Sequence, residues 1–302
     1  MAKVKNPLLS LSTHGSLKSL TFRRKTGGVV AEKKPELPYF MTLPTRYQRW
    51  LYQDYAYLWT QQSAATKRLY DIAGAKLHLT GFQYWMKDML TRMPDIAAWY
   101  RIDSPDITIL HDSSRNANTG TIIGASPTAG IIEDSLYFDG INDYCPVPDS
   151  PSFHFTQGLT IALWVYVNAW VSYKKVVCKL ATGFINGFSF EIRADKRFRF
   201  FAHGPTIPAS LTSATSLQPE TWYPVVCTFK PNERKIYVNG ALDGQIATPP
   251  AIGYNTLPLN LGRRNDTETD YFNGRIDNCI IYNRTWDAAE ALRHSTRRYP
   301  AK

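Results

Sequence analysis

Six histidines, four cysteines and a set of loop aromatics are the side chains of this 302-residue chain best equipped for chemistry. Their spacing argues against catalysis. His14, His78, His111, His154, His203 and His294 show no H-E-x-x-H arrangement, and no G-x-S-x-G turn presents a serine nucleophile. Cys145, Cys178, Cys227 and Cys279 lie tens of residues apart, without the C-x-x-C pair of a zinc site. Each stands where a strand would carry Val or Ile, which predicts buried thiols acting as small hydrophobes. The alternative is a Cys145–Cys279 bridge, if the first and last strands of a sandwich pair. Sugar binding needs exposed rings beside hydrogen-bonding side chains in loops. Trp170, Tyr173, His203, Tyr254 and Asn265 meet that description, with ordinary rim packing as the competing use of each. Asp266-Thr267-Glu268-Thr269-Asp270 reads as a solvated acidic loop.

The charge is divided unevenly along the chain. Residues 1–93 hold fifteen Lys and Arg against five Asp and Glu, and the remainder holds twenty of each sign. The whole net charge of +10 therefore belongs to the N-terminal third. A basic arm on a neutral body suits docking to an acidic surface, whether protein shell, nucleic acid or anionic membrane. Lys18, Arg23, Arg24, Lys25, Lys33 and Lys34 are its candidate contacts. The opening Met1-Ala2-Lys3-Val4-Lys5-Asn6-Pro7 lacks the apolar run of a secretory signal, and no apolar stretch reaches the ~20 residues of a bilayer span. The expectation is a chain made in the cytoplasm, with no membrane insertion.

Three segments must position these groups. In residues 1–43, Gly15 to Arg24 alternates at the strand period and meets the turn signal Lys25-Thr26-Gly27-Gly28, with Val29, Val30 and Ala31 as a return strand. So short a basic β-hairpin is not stable alone and should order against a partner. In residues 44–93 the period becomes 3.6. Tyr47, Trp50, Leu51, Tyr55 and Leu58 share one helical stripe; Leu69, Ile72, Ala73 and Leu77 share a second, around 64–77. Thr80 and Gln83 form a capping box for a third helix, whose apolar face is Phe82, Trp85, Met86, Met89 and Leu90. These aromatics read as core, with base stacking as the alternative. Residues 94–302 carry short period-two strands between turn signals, the texture of an antiparallel β-sandwich. Leu159 to Tyr166 is apolar on both faces, as a central strand would be, and Lys235 to Val238 runs into the hairpin signal Asn239-Gly240.

Several ordered stretches resemble the laminin-G-like, concanavalin A-like jelly roll. They are Ala98-Trp99-Tyr100-Arg101-Ile102-Asp103, Asp112 to Gly120, Leu136-Tyr137-Phe138-Asp139-Gly140-Ile141-Asn142-Asp143-Tyr144, Leu159 to Trp164, Thr221 to Val226, Ile236 to Gly240, and Phe272 to Arg284. The resemblance covers about residues 97–293. It implies a mainly β fold of two antiparallel sheets with function carried by loops. It also implies a structural calcium ion held by oxygen ligands, with Asp139 and Asp277 at matching positions and Asp143 near by; turns and salt links are the alternative role for these aspartates. Glycosidases of the wider superfamily place acids at alternating positions of one central strand and need two carboxylates across the scissile bond. Glu191-Ile192-Arg193-Ala194-Asp195 is the nearest match, and Arg193 stands in its middle, where it would pair with the acids. The resemblance thus implies no enzyme.

A second resemblance lies in the N-terminal third. Gly15-Ser16-Leu17, Leu20 to Val30, an aromatic helix and Leu79-Thr80-Gly81-Phe82-Gln83-Tyr84-Trp85 are similar to small virion proteins of tailed bacteriophages. This implies a non-enzymatic capsid-decoration or tail-attached protein of the phage particle. Residues 1–93 would anchor to the major capsid or another virion protein, and the sandwich would be displayed outward for adhesion to host glycans, singly or as a homo-oligomer. The alternatives are a cellular carbohydrate-binding or adhesion protein, a glycoside hydrolase, and an arm that binds nucleic acid with steep salt dependence.

Overall fold

A computed structural model describes residues 3–4, 15–17, 20–25, 28–33, 59–60, 62–85, 95–102, 106–168, 173–181, 183, 186–204, 210–246, 252–265 and 269–296. The chain divides into two units, residues 1–90 and 91–302. The expected helix over Tyr47 to Leu58 lies outside the described residues, as do Lys18, Lys34, Met86, Met89, Leu90 and Trp170.

In the first unit, four strands pair in the order β1-β4-β3-β2: β1 (Lys3–Val4), β2 (Gly15–Leu17), β3 (Leu20–Lys25) and β4 (Gly28–Lys33). The β3–β4 ladder closes at Lys25↔Gly28, so the expected basic hairpin is present, with Arg23, Arg24 and Lys25 on β3 and Lys33 on β4. Gly15 to Arg24 is not one strand, however. It folds back on itself, pairing Gly15 with Phe22 and Leu17 with Leu20.

Helix α1 (Ala64–Ala75) starts at Ser63, whose hydroxyl accepts the Thr66 N–H at 3.1 Å. The Thr80 capping box is reciprocal: Gln83 N–H donates to Thr80 Oγ1 at 3.2 Å, and Thr80 N–H donates to Gln83 Oε1 at 2.9 Å. The buried face of α1 is not the expected stripe. Leu69, Ile72 and Leu77 are 68%, 55% and 49% exposed, whereas Tyr70 and Gly74 turn inward. Two contacts explain this rotation. The Tyr70 ring meets Trp85 at 5.0 Å and Trp59 at 6.0 Å, joining an aromatic cluster that Phe82 also enters against Trp59. Gly74 lies so close to the Leu79 carbonyl that a Cβ there would stand 2.8 Å from its oxygen.

The second unit is a sandwich of two antiparallel sheets. One has six strands in the order β10 (Cys145–Val147), β19 (Leu259–Leu261), β12 (Lys174–Leu180), β13 (Gly187–Ile192), β14 (Phe198–His203), β15 (Leu211–Thr212). The other runs β18 (Ala241–Ile246), β17 (Glu233–Val238), β16 (Thr221–Lys230), β11 (Leu159–Val167), β20 (Asn273–Tyr282), β9 (Asp134–Asp139), β8 (Ser126–Ala129), with β5 (Ile96–Tyr100) on the far half of β20. A short ladder, β6 (Ile109–Leu110) with β7 (Gly120–Thr121), stands apart, and helix α2 (Ala288–Thr296) follows the last strand. As its composition predicted, β11 is central, paired along its length by β16 and β20. The β17–β18 hairpin turns at Asn239 and Gly240, with φ of 53° and 79°, the left-handed pair that Asn-Gly supplies.

Period-two alternation sends Phe188, Phe190 and Ile192 of β13 and Phe198 and Phe200 of β14 between the sheets. There they join Leu163 and Val165 of β11, Val225 of β16 and Ile276 of β20 in one core. The four cysteines are buried and free. Cys145 and Cys279 belong to different sheets, so the strand pairing that a bridge would have needed does not occur. Replacing Phe190 by Ala should lower stability by about 3–5 kcal/mol, read as a lower urea midpoint with an unchanged slope.

Candidate functional site

Because Phe188, Phe190 and Ile192 fill the core, Ser189 and Glu191 must point to the other face of the six-stranded sheet. Cross-strand register aligns rows on that face. Lys175, Glu191, Arg199 and Thr212 form one row, and Pro146, Asn260, Cys178, Ser189 and Phe201 form the next. His203 pairs with Gly187 beyond them.

Polar side chains on this face are shut away from water. Lys175, Ser189, Glu191, His203 and Asn260 are all buried. Part of the cover is the connection from β19 to β20, where the Asp270 carbonyl accepts the Lys175 N–H at 3.0 Å and the Arg264 carbonyl accepts Asn260 Nδ2 at 3.5 Å. A buried carboxylate is tolerable when it is paired. Glu191 is paired twice, accepting Lys175 Nζ on one oxygen and Arg199 on the other. Burial pushes the Lys175 ammonium down to about 8, and burial likewise lowers Arg199. Arg199 then extends toward solvent between two rings. Its guanidinium lies 4.5 Å from the Phe201 centroid and 4.9 Å from that of Tyr173, which is 40% exposed.

This arrangement does not suit hydrolysis of a glycosidic bond. Glu191 is the single carboxylate among the described strand residues of the face, and both of its oxygens are held by cations. The expected pairing of Arg193 is with Asp195, at 3.0 Å, and not with Glu191.

Of the sugar-contact candidates, Tyr173 stands exposed at this rim. His203 is fully buried, because its strand position turns it under the cover, so it offers no contact surface. Asn265 acts inside the fold: its Oδ1 accepts the Leu180 N–H at 3.4 Å and its Nδ2 donates to the Pro258 carbonyl. Tyr254 is exposed near the opposite end of β12, stacked on His154 with centroids 4.5 Å apart. Lys174 to Leu180 spans roughly 20 Å, so the two rings mark two ends of the sheet.

The three aspartates expected to share calcium are not brought together. Asp277 Oδ2 accepts the N–H groups of Ile131 and Ile132, each at 2.8 Å. Asp139 pairs with Asn273, four residues and about 13 Å along β20 from Asp277. Asp139 Oδ1 accepts the Ile141 N–H at 2.7 Å, and Asp143 Oδ2 accepts the Asp139 N–H at 2.8 Å. Burial raises the pKa of Asp143 despite that bond. Among the described residues, no group of three or more His, Cys, Asp and Glu is placed to hold a metal ion. These carboxylates instead tie turns to strands and do not fit a common cation.

Sequence reading missed Lys175, Lys179, Arg199, Asp149 and His154 as site residues. A signal for the lysines existed, since Lys174-Lys175-Val176-Val177-Cys178-Lys179-Leu180 puts charges inside an otherwise apolar strand. Nothing local marks their partners.

The family profile of the concanavalin A-like lectin/glucanases superfamily, of the laminin-G type, matches residues 139–291. No curated protein matches the chain by sequence. Similar solved structures include domain 4 of AbnA, an extracellular arabinanase from Geobacillus stearothermophilus, in complex with arabinotriose. It is 17% identical with a TM-score of 0.54, over 67% of this chain and 98% of that one. The binding domain of Paraclostridial Mosquitocidal Protein 1 is 14% identical with a TM-score of 0.54, over 67% of this chain and 52% of that one. Botulinum neurotoxin type C, whose cell entry depends on two ganglioside molecules, is 15% identical with a TM-score of 0.53, over 68% and 51%. The match spans about half of each toxin chain, and identities this low show the fold alone.

Glu191→Ala would leave the buried Lys175 and the half-buried Arg199 without the carboxylate they share. It should cost about 3–5 kcal/mol in urea denaturation, and the triple variant Lys175→Met, Glu191→Leu, Arg199→Leu should recover most of that loss.

Proposed function

Because the chain belongs to the concanavalin A-like lectin/glucanases superfamily, we propose that its sandwich binds carbohydrate without cleaving it. One observation carries this reading. Tyr173 presents an exposed ring beside Arg199, on a face whose strand carboxylate is already neutralised. A sugar needs an immobilised apolar surface with hydrogen-bond donors next to it. Tyr173 supplies the surface, and the Arg199 fork supplies donors left over from Glu191. Cleavage would require a second carboxylate across from the first.

The N-terminal unit completes the proposal as an attachment device. Its support is the concentration of all net positive charge in residues 1–93 and the likeness of that segment to phage virion proteins. The chain would then be a structural component of a tailed-phage particle, held through its basic unit on an acidic capsid or tail surface, with the sandwich presented to host glycans. Among the described residues no helix is long and apolar enough to cross a membrane.

Full-length protein on a broad glycan array should bind a restricted set of glycans, and Tyr173→Ala should weaken that binding about tenfold while the melting temperature holds. Absence of binding by the wild type would overturn the carbohydrate reading. For the attachment role, mass spectrometry of purified phage particles should find the protein at stoichiometric copy number, and its absence from them would overturn that role.

A further inference from the structure

Helix α1 has two faces with different fates. Tyr70 and Gly74 turn inward, and Lys67 goes with them, donating Nζ to the Thr60 carbonyl at 3.1 Å and lying 5.9 Å from the Trp59 ring centroid. The opposite face is open along the whole helix. Ala65, Arg68, Leu69, Ile72, Ala75 and Lys76 are all exposed. Intervals of three and four residues set them on one strip, about 16 Å long. The aliphatic side chains at its centre, Leu69 and Ile72, are 68% and 55% exposed and add nothing to the core of their unit.

The charge on this strip has one sign. Arg68 and Lys76 stand two turns apart on it, a rise of about 12 Å along the axis. Among the described residues neither meets a carboxylate. Asp71, the single acid of the helix, is held away from them, because its Oδ1 accepts the Gly81 N–H at 3.1 Å. A second copy of the chain is therefore a poor occupant. An antiparallel pair of strips centred on Ile72 sets Arg68 against Lys76, and a parallel pair sets each cation against itself, so like charges face each other either way. A lipid surface is also a poor fit, since the rings that would anchor a helix in it, Tyr70 with Trp59 and Trp85, are packed together on the inward side. An acidic protein surface is complementary in both charge and polarity. Ala65 and Ala75, on either side of the aliphatic pair, let the backbone of another helix approach to the usual distance of about 8–10 Å.

We infer that the exposed face of α1 is a docking surface for an amphipathic helix of a protein partner, one whose apolar stripe is bracketed by Asp or Glu side chains about two turns apart. Those acids meet Arg68 and Lys76, and the stripe covers Leu69 and Ile72. Apolar burial supplies the affinity, and the two cations set partner choice and register. This rests on the reading of residues 1–93 as an attachment unit and names the chemistry of the surface that receives it.

The test uses the full chain and a fluorescent, hydrocarbon-stapled helical peptide of about four turns, with leucines at helical spacing on one face and flanking glutamates about two turns apart. Fluorescence anisotropy should show saturable binding that weakens as salt is added. The same peptide with lysines in place of the glutamates should bind at least about tenfold more weakly. Leu69→Ala combined with Ile72→Ala should weaken binding of the acidic peptide at least about tenfold while the melting temperature holds, because both side chains are exposed. Arg68→Glu combined with Lys76→Glu should reverse the preference in favour of the lysine peptide. The docking surface is overturned if the acidic peptide does not bind, if the double alanine variant binds it as well as the wild type, or if charge reversal leaves the preference unchanged. A wild-type dimer in sedimentation that the alanine variant dissolves would put a second copy on the face, and capture on phosphatidylglycerol vesicles through the same two side chains would put lipid there; either overturns the helix partner. The search for the protein in purified particles is independent of all these outcomes, so the two readings can fail separately.

Discussion

The sandwich depends on the layer of side chains packed between its two sheets. Phe188, Phe190, Phe198 and Phe200 from one sheet meet Leu163, Val165, Val225 and Ile276 from the other. A strand turns successive side chains to opposite faces, so each core ring obliges its neighbour to face away. Ser189 and Glu191 are outward for no other reason than that Phe188, Phe190 and Ile192 are inward. The position of every charged group on that face follows from how the core is filled.

An outward face that is itself covered creates a second problem, which the chain solves with paired charges. Lys175 and Arg199, from the strands on either side, share the Glu191 carboxylate, and near the end of β12 Lys179 pairs with Asp149. Such pairs contribute little net stability compared with an apolar core, because each ion loses its hydration. Their value here lies in direction. They hold Arg199 against Tyr173 and, through the Asn255 and Leu257 carbonyls that Lys179 also binds, the 253–257 segment against His154, so two exposed rings keep fixed orientations at the two ends of a rigid sheet.

The first unit obeys different priorities. Its helix α1 turns Tyr70 and Gly74 inward and leaves Leu69 and Ile72 in solvent, although aliphatic spacing alone favours the reverse. Aromatic rings explain the choice, since Tyr70 packs against Trp59 and Trp85 in a cluster that Phe82 also joins. Residues 1–93 also carry the chain's entire net charge, a property of composition that holds regardless of packing.

Local pattern made much of this protein legible. Period-two runs and Asn-Gly or capping-box signals located β11, the β17–β18 hairpin, the basic hairpin and the start of the helix at Thr80, because each depends on residues within a few positions of one another. The likeness of Leu136 to Tyr144 and of Phe272 to Arg284 to a known fold placed the sandwich. Partnerships were not legible in the same way. Asp277 was expected to share calcium with Asp139, yet it caps amides 145 and 146 residues away, and Asp149 finds Lys179 across 30 positions. Glu191 meets Lys175 and Arg199 across strands, not Arg193 two residues on. The sequence by itself determined the strands, the turns and the division of charge. Only the tertiary structure decided which charges meet and which rings stay exposed, because register across strands brings together side chains that no local spacing relates.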